Sequence, residues 1–165
     1  MPGHVIGKSL LRGFAGTVSR QIDAVIEGIP NKDVTAINFG TPLALNSTGD
    51  GVLNWTSSHT ATDFIGIAVR EIKTENTYGQ GDAKYNPNDT VDVLTRGSIS
   101  VVCTMDSTAT TAPKKNAKVY IRKASGKFVA ASESSDTVEL SGVVWAHNGV
   151  DANGIAEIVI LDRKA

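Results

Sequence analysis

Few side chains in this 165-residue sequence have the types and spacing that catalysis or metal binding requires. The chain has three histidines, and no two of them have the i, i+2 or i, i+4 spacing of metal ligands: His4, His59 and His147. A nucleophile and base can be assembled from Ser58 with His59, or from Cys103 with His147 and Asp151. Neither pair lies in a Gly-x-Ser-x-Gly elbow, and Cys103 falls on the apolar face of a predicted strand. We therefore predict that the protein is not an enzyme and uses no cofactor.

Residues 81–92 form a polar stretch that is rich in oxygen ligands. Such a stretch could hold calcium, but it lacks the Asp-x-Asp-x-Asp-Gly order and the closing Glu of an EF-hand. Asn and Asp are also common turn formers, because their side chains bond to nearby backbone. The pattern favours a turn and leaves calcium as the alternative, and we predict no metal site.

Five aromatic side chains could line a platform for sugar rings: Trp55, Trp145, Tyr78, Tyr85 and Tyr120. Aromatic residues make up only 5% of the chain, and packing in a core is their commoner use. A carbohydrate-binding β-sandwich, in a phage tail or an extracellular protein, is nevertheless the alternative function that these residues keep open.

Composition and charge exclude several classes of protein. The formal net charge is -1, from 16 basic and 17 acidic residues, and this balance argues against a nucleic-acid binder. A single cysteine cannot form an intrachain disulfide, and neither a signal peptide nor a membrane span is recognisable. We expect a soluble protein made in the cytoplasm, with no nucleic-acid, membrane or small-molecule partner.

The rest of the chain predicts an all-β fold, because short alternating apolar runs are separated by turn residues. Residues 91–94, 99–103 and 119–121 alternate clearly, and Ser125-Gly126 predicts a tight hairpin. Residues 155–161 form a nearly continuous apolar run, typical of a strand that is buried on both faces. The pattern predicts about nine or ten short strands in a β-sandwich or a partly closed β-barrel.

The first 31 residues differ from the remainder, and we predict an N-terminal arm (1–31) followed by a single β domain (32–165). Seven apolar residues recur there at near-helical spacing: Leu10, Leu11, Phe14, Val18, Ile22, Val25 and Ile26. Gly13 and Gly16 would each cost a helix interior about 1 kcal/mol relative to Ala, so we favour an extended arm. An amphipathic helix, and a strand paired with the domain's own sheet, stay open as alternatives.

An ordered series of segments resembles the structural cement, or capsid decoration, proteins of tailed phages. The series comprises residues 13–20 (GFAGTVSR), 64–70 (FIGIAVR), 85–101 (YNPNDTVDVLTRGSISV), 118–121 (KVYI), 126–128 (GKF) and 155–160 (IAEIVI). No single motif is specific, but together they cover residues 13–161.

This resemblance implies a non-enzymatic virion protein that adds to the assembled capsid shell on its outer surface and stabilises it. It also implies a homotrimer whose partner is the major capsid protein, with an arm that reaches across neighbouring subunits. An apolar arm could supply affinity on burial, and its arginines could complement an acidic shell. The residues that we expect at the capsid or subunit contact are Leu10, Leu11, Arg12, Phe14, Val18 and Arg20.

Overall fold

The structure, a computed structural model, describes residues 11–71 and 84–162. Its strands are β1 (Val18–Pro30), β2 (Ile37–Asn38), β3 (Pro42–Leu45), β4 (Val52–Asn54), β5 (Phe64–Ala68), β6 (Lys84–Tyr85), β7 (Thr90–Val102), β8 (Lys118–Arg122), β9 (Lys127–Val129), β10 (Thr137–Trp145) and β11 (Ile155–Ile160). A single 3-10 turn, Ser134–Asp136, is the helical element of these residues, and no helix among them could cross a membrane. The predicted all-β class is confirmed.

Strand β7 is the centre of the architecture, because three other strands pair with it. The main sheet has the order β4-β3-β5-β7-β11-β10-β8-β9, and β1 also pairs antiparallel with β7. Strands β2 and β6 form a separate two-stranded sheet. At Ser98 and Ile99, β7 pairs with both β1 and β11, which therefore lie on its opposite edges there.

The main sheet curls so strongly that both of its ends return to its middle. A parallel bridge from Cys103 to Phe128 connects the end of β7 to β9. A second bridge, from Asn31 to Val52, connects the end of β1 to the edge strand β4. The partly closed barrel is thus the correct alternative of the two that the sequence predicted.

Each of these two closures encloses apolar side chains. The larger core includes Ile99, Val101, Phe128, Trp145 and Ile158, all nearly inaccessible to solvent. The smaller core lies between β1, β7 and β5 and is covered by β2 and β6, and its members include Ile37, Leu43, Val52, Tyr85 and Val91. Because β7 contributes to both cores, it fixes each half of the molecule relative to the other.

Two strands are longer than predicted, since β1 and β7 have 13 residues each. Residues 18–30 are extended, so the helical alternative is wrong for this part of the chain. They hydrogen-bond to β7 as part of the main sheet, with breaks in the register. Whether residues 1–31 act as a separate unit from residues 32–165 stays a prediction.

Candidate functional site

Residues 11–17, which we call the N-terminal strap, cross the outside of the barrel before β1 begins. The strap is hydrogen-bonded to β7: Gly16 N donates to Ser100 O (2.8 Å), and Ser100 N donates to Thr17 O (2.9 Å). The hydroxyl of Ser100 donates to Arg12 O at 2.9 Å. These contacts explain why Ser100, on the outer face of β7, is almost fully buried.

Arg12 fastens the strap to the loop that follows β10. Its backbone N–H donates to Asp151 Oδ2 at 2.8 Å, and its guanidinium donates to Gly149 O (2.6 Å) and Asn148 O (2.8 Å). The bond from the Arg12 N–H is the main reason that the pKa of Asp151 lies below its usual range. Two of the five guanidinium N–H donors of Arg12 thus bond to carbonyls of this loop, which ties the strap to it.

Gly16 holds the strap close to two other backbone segments. Its φ of +82° is unfavourable for residues with a Cβ atom, and a Cβ there would lie 2.9 Å from the backbone nitrogens of Gly40 and Arg70. Arg70 N donates to Gly16 O at 2.7 Å. The close approach requires glycine and fixes the path of the strap.

Two apolar side chains of this fixed strap face solvent. Leu11 is 63% exposed and Phe14 is 66% exposed. The guanidinium carbon of Arg70 lies 4.9 Å from the centre of the Phe14 ring and 5.7 Å from that of Phe39, so Phe14 is held in place by a cation–π contact. Exposed apolar side chains on an ordered backbone are typical of a protein–protein contact.

Val18 and Arg20, at the start of β1, have structural contacts. Val18 packs against the larger core. Arg20 Nε lies 4.0 Å from Glu157 Oε1, which also accepts a hydrogen bond of 2.7 Å from the Ser19 hydroxyl. His147 Nε2 lies 3.1 Å from the second oxygen of this nearly buried carboxylate. Ser19, Arg20 and His147 thus surround the carboxylate of Glu157, a residue of β11.

The residues that the sequence predicted for a contact therefore divide into two groups. Leu11 and Phe14 are accessible to a partner, and so is Arg20, whose side chain is 66% exposed although it lies close to Glu157. Arg12 and Val18 instead contact the barrel. Leu10 lies outside the described residues. Their role in a contact stays a prediction.

The residues considered for catalysis make other contacts. The Ser58 hydroxyl is 2.9 Å from that of Thr56, and the His59 ring accepts at Nδ1 from the Thr56 N–H at 2.9 Å. Burial of Cys103 raises the pKa of its thiol to about 11, which leaves little thiolate at neutral pH. Asp151 accepts backbone hydrogen bonds from three residues of the chain: Arg12, Asn153 and Ile155.

The tryptophans and the polar stretch that the sequence suggested for ligand binding have structural roles where the structure describes them. Trp55 is 7% exposed and Trp145 is inaccessible, so neither offers a flat face to a sugar. Asp89 accepts a hydrogen bond from the Asn86 N–H at 2.8 Å, as expected of a turn former, while residues 81–83 of that stretch lie outside the described residues. Across residues 11–71 and 84–162 we find no group of three or more His, Cys, Asp or Glu side chains that could hold a metal ion.

Comparison with known proteins places this architecture in a family. No curated protein sequence matches the chain. A chain in the solved structure of the capsid of Myoviridae phage XM1 has the same fold, with a TM-score of 0.74 over 98% of both chains at 15% identity. The model of the structural cement protein family (E217 gp24/Pam3 gp6) matches residues 4–161, nearly the whole sequence. The chain therefore belongs to the structural cement protein family of E217 gp24 and Pam3 gp6.

Proposed function

We propose that this structural cement protein binds the outer surface of an assembled phage capsid, contacts the major capsid protein there, and stabilises the shell without catalysis. The family assignment and the fold shared with a chain of a phage capsid structure support this proposal. Its location is the virion, after synthesis in the host cytoplasm.

The N-terminal strap is the contact surface that the geometry supports best. Its backbone is fixed by Arg12, Gly16 and Ser100, while Leu11 and Phe14 extend into solvent. Because the backbone of the strap is already ordered, the strap itself would lose little conformational entropy when a partner covers these two side chains. The single observation that carries the proposal is this pair of exposed apolar side chains on an anchored segment.

A homotrimer is the oligomeric state that we propose. A three-fold arrangement would present three straps to the shell at once, and linked contacts raise the overall affinity without any new contact. Light scattering coupled to size exclusion measures the mass of the full chain, which is 17.3 kDa as a monomer. A mass three times larger is expected, and a monomer at every concentration would refute the trimer.

Binding to shells is tested by co-sedimentation with shells assembled from the major capsid protein of the same phage. We expect the wild type to sediment with shells and to bind unassembled capsid protein weakly. The double variant Leu11→Ala/Phe14→Ala should lose most of this binding. Val34→Ala, at a residue that is 90% exposed outside the strap, should bind like the wild type. Equal binding by the double variant would refute the role of the strap.

A further inference from the structure

Arg70 differs from the other arginines that are partly buried in the described part of the chain, Arg12 and Arg122. Arg12 donates to two backbone carbonyls, and Arg122 donates to two carboxylates. Within residues 11–71 and 84–162, the guanidinium of Arg70 has neither a hydrogen-bond acceptor nor a carboxylate partner, and it contacts the rings of Phe14 and Phe39 instead. A partly buried charge is usually paired, because burial removes part of its water. The unpaired guanidinium therefore indicates an acceptor that a partner supplies.

The surroundings of this guanidinium are well fixed. Arg70 lies two residues after the end of β5, and its backbone N–H donates to Gly16 O at 2.7 Å. Phe39 belongs to the smaller core, where its ring lies edge-on to that of Tyr85 with 5.2 Å between the ring centres. A cation is attracted to the negative face of an aromatic ring, and this attraction does not use its N–H donors. The guanidinium of Arg70 is thus held in place while its donors stay available to a partner.

We infer that Arg70 binds a carboxylate side chain of the capsid protein, beside the exposed ring of Phe14. This inference rests on the proposed function and names the chemical group that the surface at the strap recognises. A carboxylate fits this position better than a neutral acceptor, because it neutralises the charge and its two oxygens match the planar fork of the guanidinium. Arginine and aromatic side chains are also the residue types that contribute most of the affinity in many protein–protein contacts.

The test compares Arg70→Met with a matched control, Arg96→Met. Both variants lose one positive charge and keep a long side chain, and Arg96 is an exposed arginine of β7 that lies outside the strap. Shells assembled from the capsid protein of the same phage are titrated with each full-length variant. We expect Arg70→Met to raise the Kd by about 10- to 100-fold, the effect of losing a hydrogen bond between charged groups, and Arg96→Met to change it less than about 3-fold. An equal loss in both variants overturns the inference, because a general attraction between opposite charges would then explain it.

A double variant separates binding by Arg70 from its effect on Phe14. If Arg70 acted only by holding the ring of Phe14, Arg70→Met would have no further effect in a protein that already carries Phe14→Ala. A carboxylate bound by Arg70 itself predicts a further rise in Kd of at least about 5-fold when Arg70→Met is added to Phe14→Ala. Equal affinities of Phe14→Ala and of the double variant overturn the inference.

The possible outcomes separate the inference from the proposed function. Unchanged binding by Arg70→Met, with wild-type binding intact, overturns the inference alone. A loss of the oligomer in Arg70→Met, measured by light scattering, also overturns it, because the carboxylate would then belong to a second copy of the chain. A melting temperature of Arg70→Met more than about 5 °C below that of the wild type overturns it too, because the guanidinium would then be paired within its own chain. Absence of binding by the wild type refutes the proposed function and the inference with it.

Discussion

Replacing Gly16 by Ala should destabilise the protein far more than the same change at Gly49. Both glycines have a left-handed backbone, with φ of +82° and +76°. A Cβ at Gly49 would meet nothing within 4 Å, whereas a Cβ at Gly16 would press on backbone atoms of Gly40, Arg70 and Ala68 at 2.9–3.0 Å. The pair of variants therefore separates the cost of the backbone conformation from the cost of displacing the strap.

The two contributions can be estimated separately. The left-handed conformation costs a residue with a Cβ about 1–2 kcal/mol, and both variants lose that amount. The entropy that alanine removes from the unfolded chain also applies to both and cancels in the comparison. Overpacking against an unyielding backbone adds about 1–3 kcal/mol at Gly16 alone. We expect a loss of about 1–2 kcal/mol for Gly49→Ala and about 2–5 kcal/mol for Gly16→Ala.

Urea unfolding, followed by the fluorescence of the buried Trp55 and Trp145, measures this difference. With an m-value of about 1–3 kcal/mol/M, the midpoint of Gly16→Ala should lie roughly 1 M below that of Gly49→Ala, at an unchanged m-value. Coincident midpoints would show that the strap does not rest on the backbone at residues 40, 68 and 70. That result would refute the anchored strap on which the proposed contact surface depends.

Three further predictions concern two groups away from the strap, Arg122 with its carboxylates and Cys103. Arg122 donates to both oxygens of Glu133 (2.6 and 2.8 Å) and to Asp106 (2.8 Å), so Arg122→Met should cost about 1–3 kcal/mol in urea unfolding by leaving the nearly buried Glu133 carboxylate unpaired. The hydrogen bond from Arg122 also holds the pKa of Asp106 below its usual value. The ionised Asp106 therefore stabilises the fold above the unfolded-state pKa, and this contribution is lost as the pH falls through the lower folded-state pKa. On acidification below pH ~4, Arg122→Met should lose less stability than the wild type, and equal acid sensitivity of the two proteins would contradict the Arg122–Asp106 pairing. The native Cys103 thiol, whose pKa burial raises to about 11, should react with a disulfide reagent at pH 8 at least about 100-fold more slowly than the urea-unfolded chain, and rapid native labelling would contradict its burial.

The alternating segments were predictable from the sequence because period-two patterning determines which side chains enter a core. Ile99 and Val101 are buried on one face of β7, and Cys103, just after the strand, is buried as well, as their spacing indicated. The apolar run from Ile155 is almost wholly buried. Alternation did not predict that Ser98 and Ser100, on the opposite face, are buried too. The covering strap causes this for Ser100, and a contact between segments 88 residues apart has no local signal.

Strand β1 shows why the helical spacing of the first apolar residues was misleading. The pairing register shifts between Val18 and Arg20, between Arg20 and Val25, and between Val25 and Ile26. Each shift resets which face a side chain takes, so the apolar residues lose the period of a regular strand. The curling of the sheet was equally hidden, since single bridges at Asn31 and Cys103 complete it.

The contact that the sequence predicted at the N-terminal segment stays a prediction. Two of its residues, Leu11 and Phe14, are exposed. The sequence did not show that the Arg12 side chain turns back to the carbonyls of Asn148 and Gly149. It also did not show that Ile22 is fully exposed, in the part of β1 where the pairing with β7 is interrupted between Arg20 and Val25.

The thermal stability of the shell is the most direct measure of a cementing role. Shells of the major capsid protein are heated with and without saturating amounts of the wild-type chain, and their disruption is followed by light scattering and by electron microscopy. A ligand that binds the intact shell more tightly than its separated subunits must raise the disruption temperature, and the rise must grow with ligand concentration. We predict such a rise for the wild type and a smaller one for Leu11→Ala/Phe14→Ala. Full occupancy of the shell with no change in its disruption temperature would contradict the cementing function.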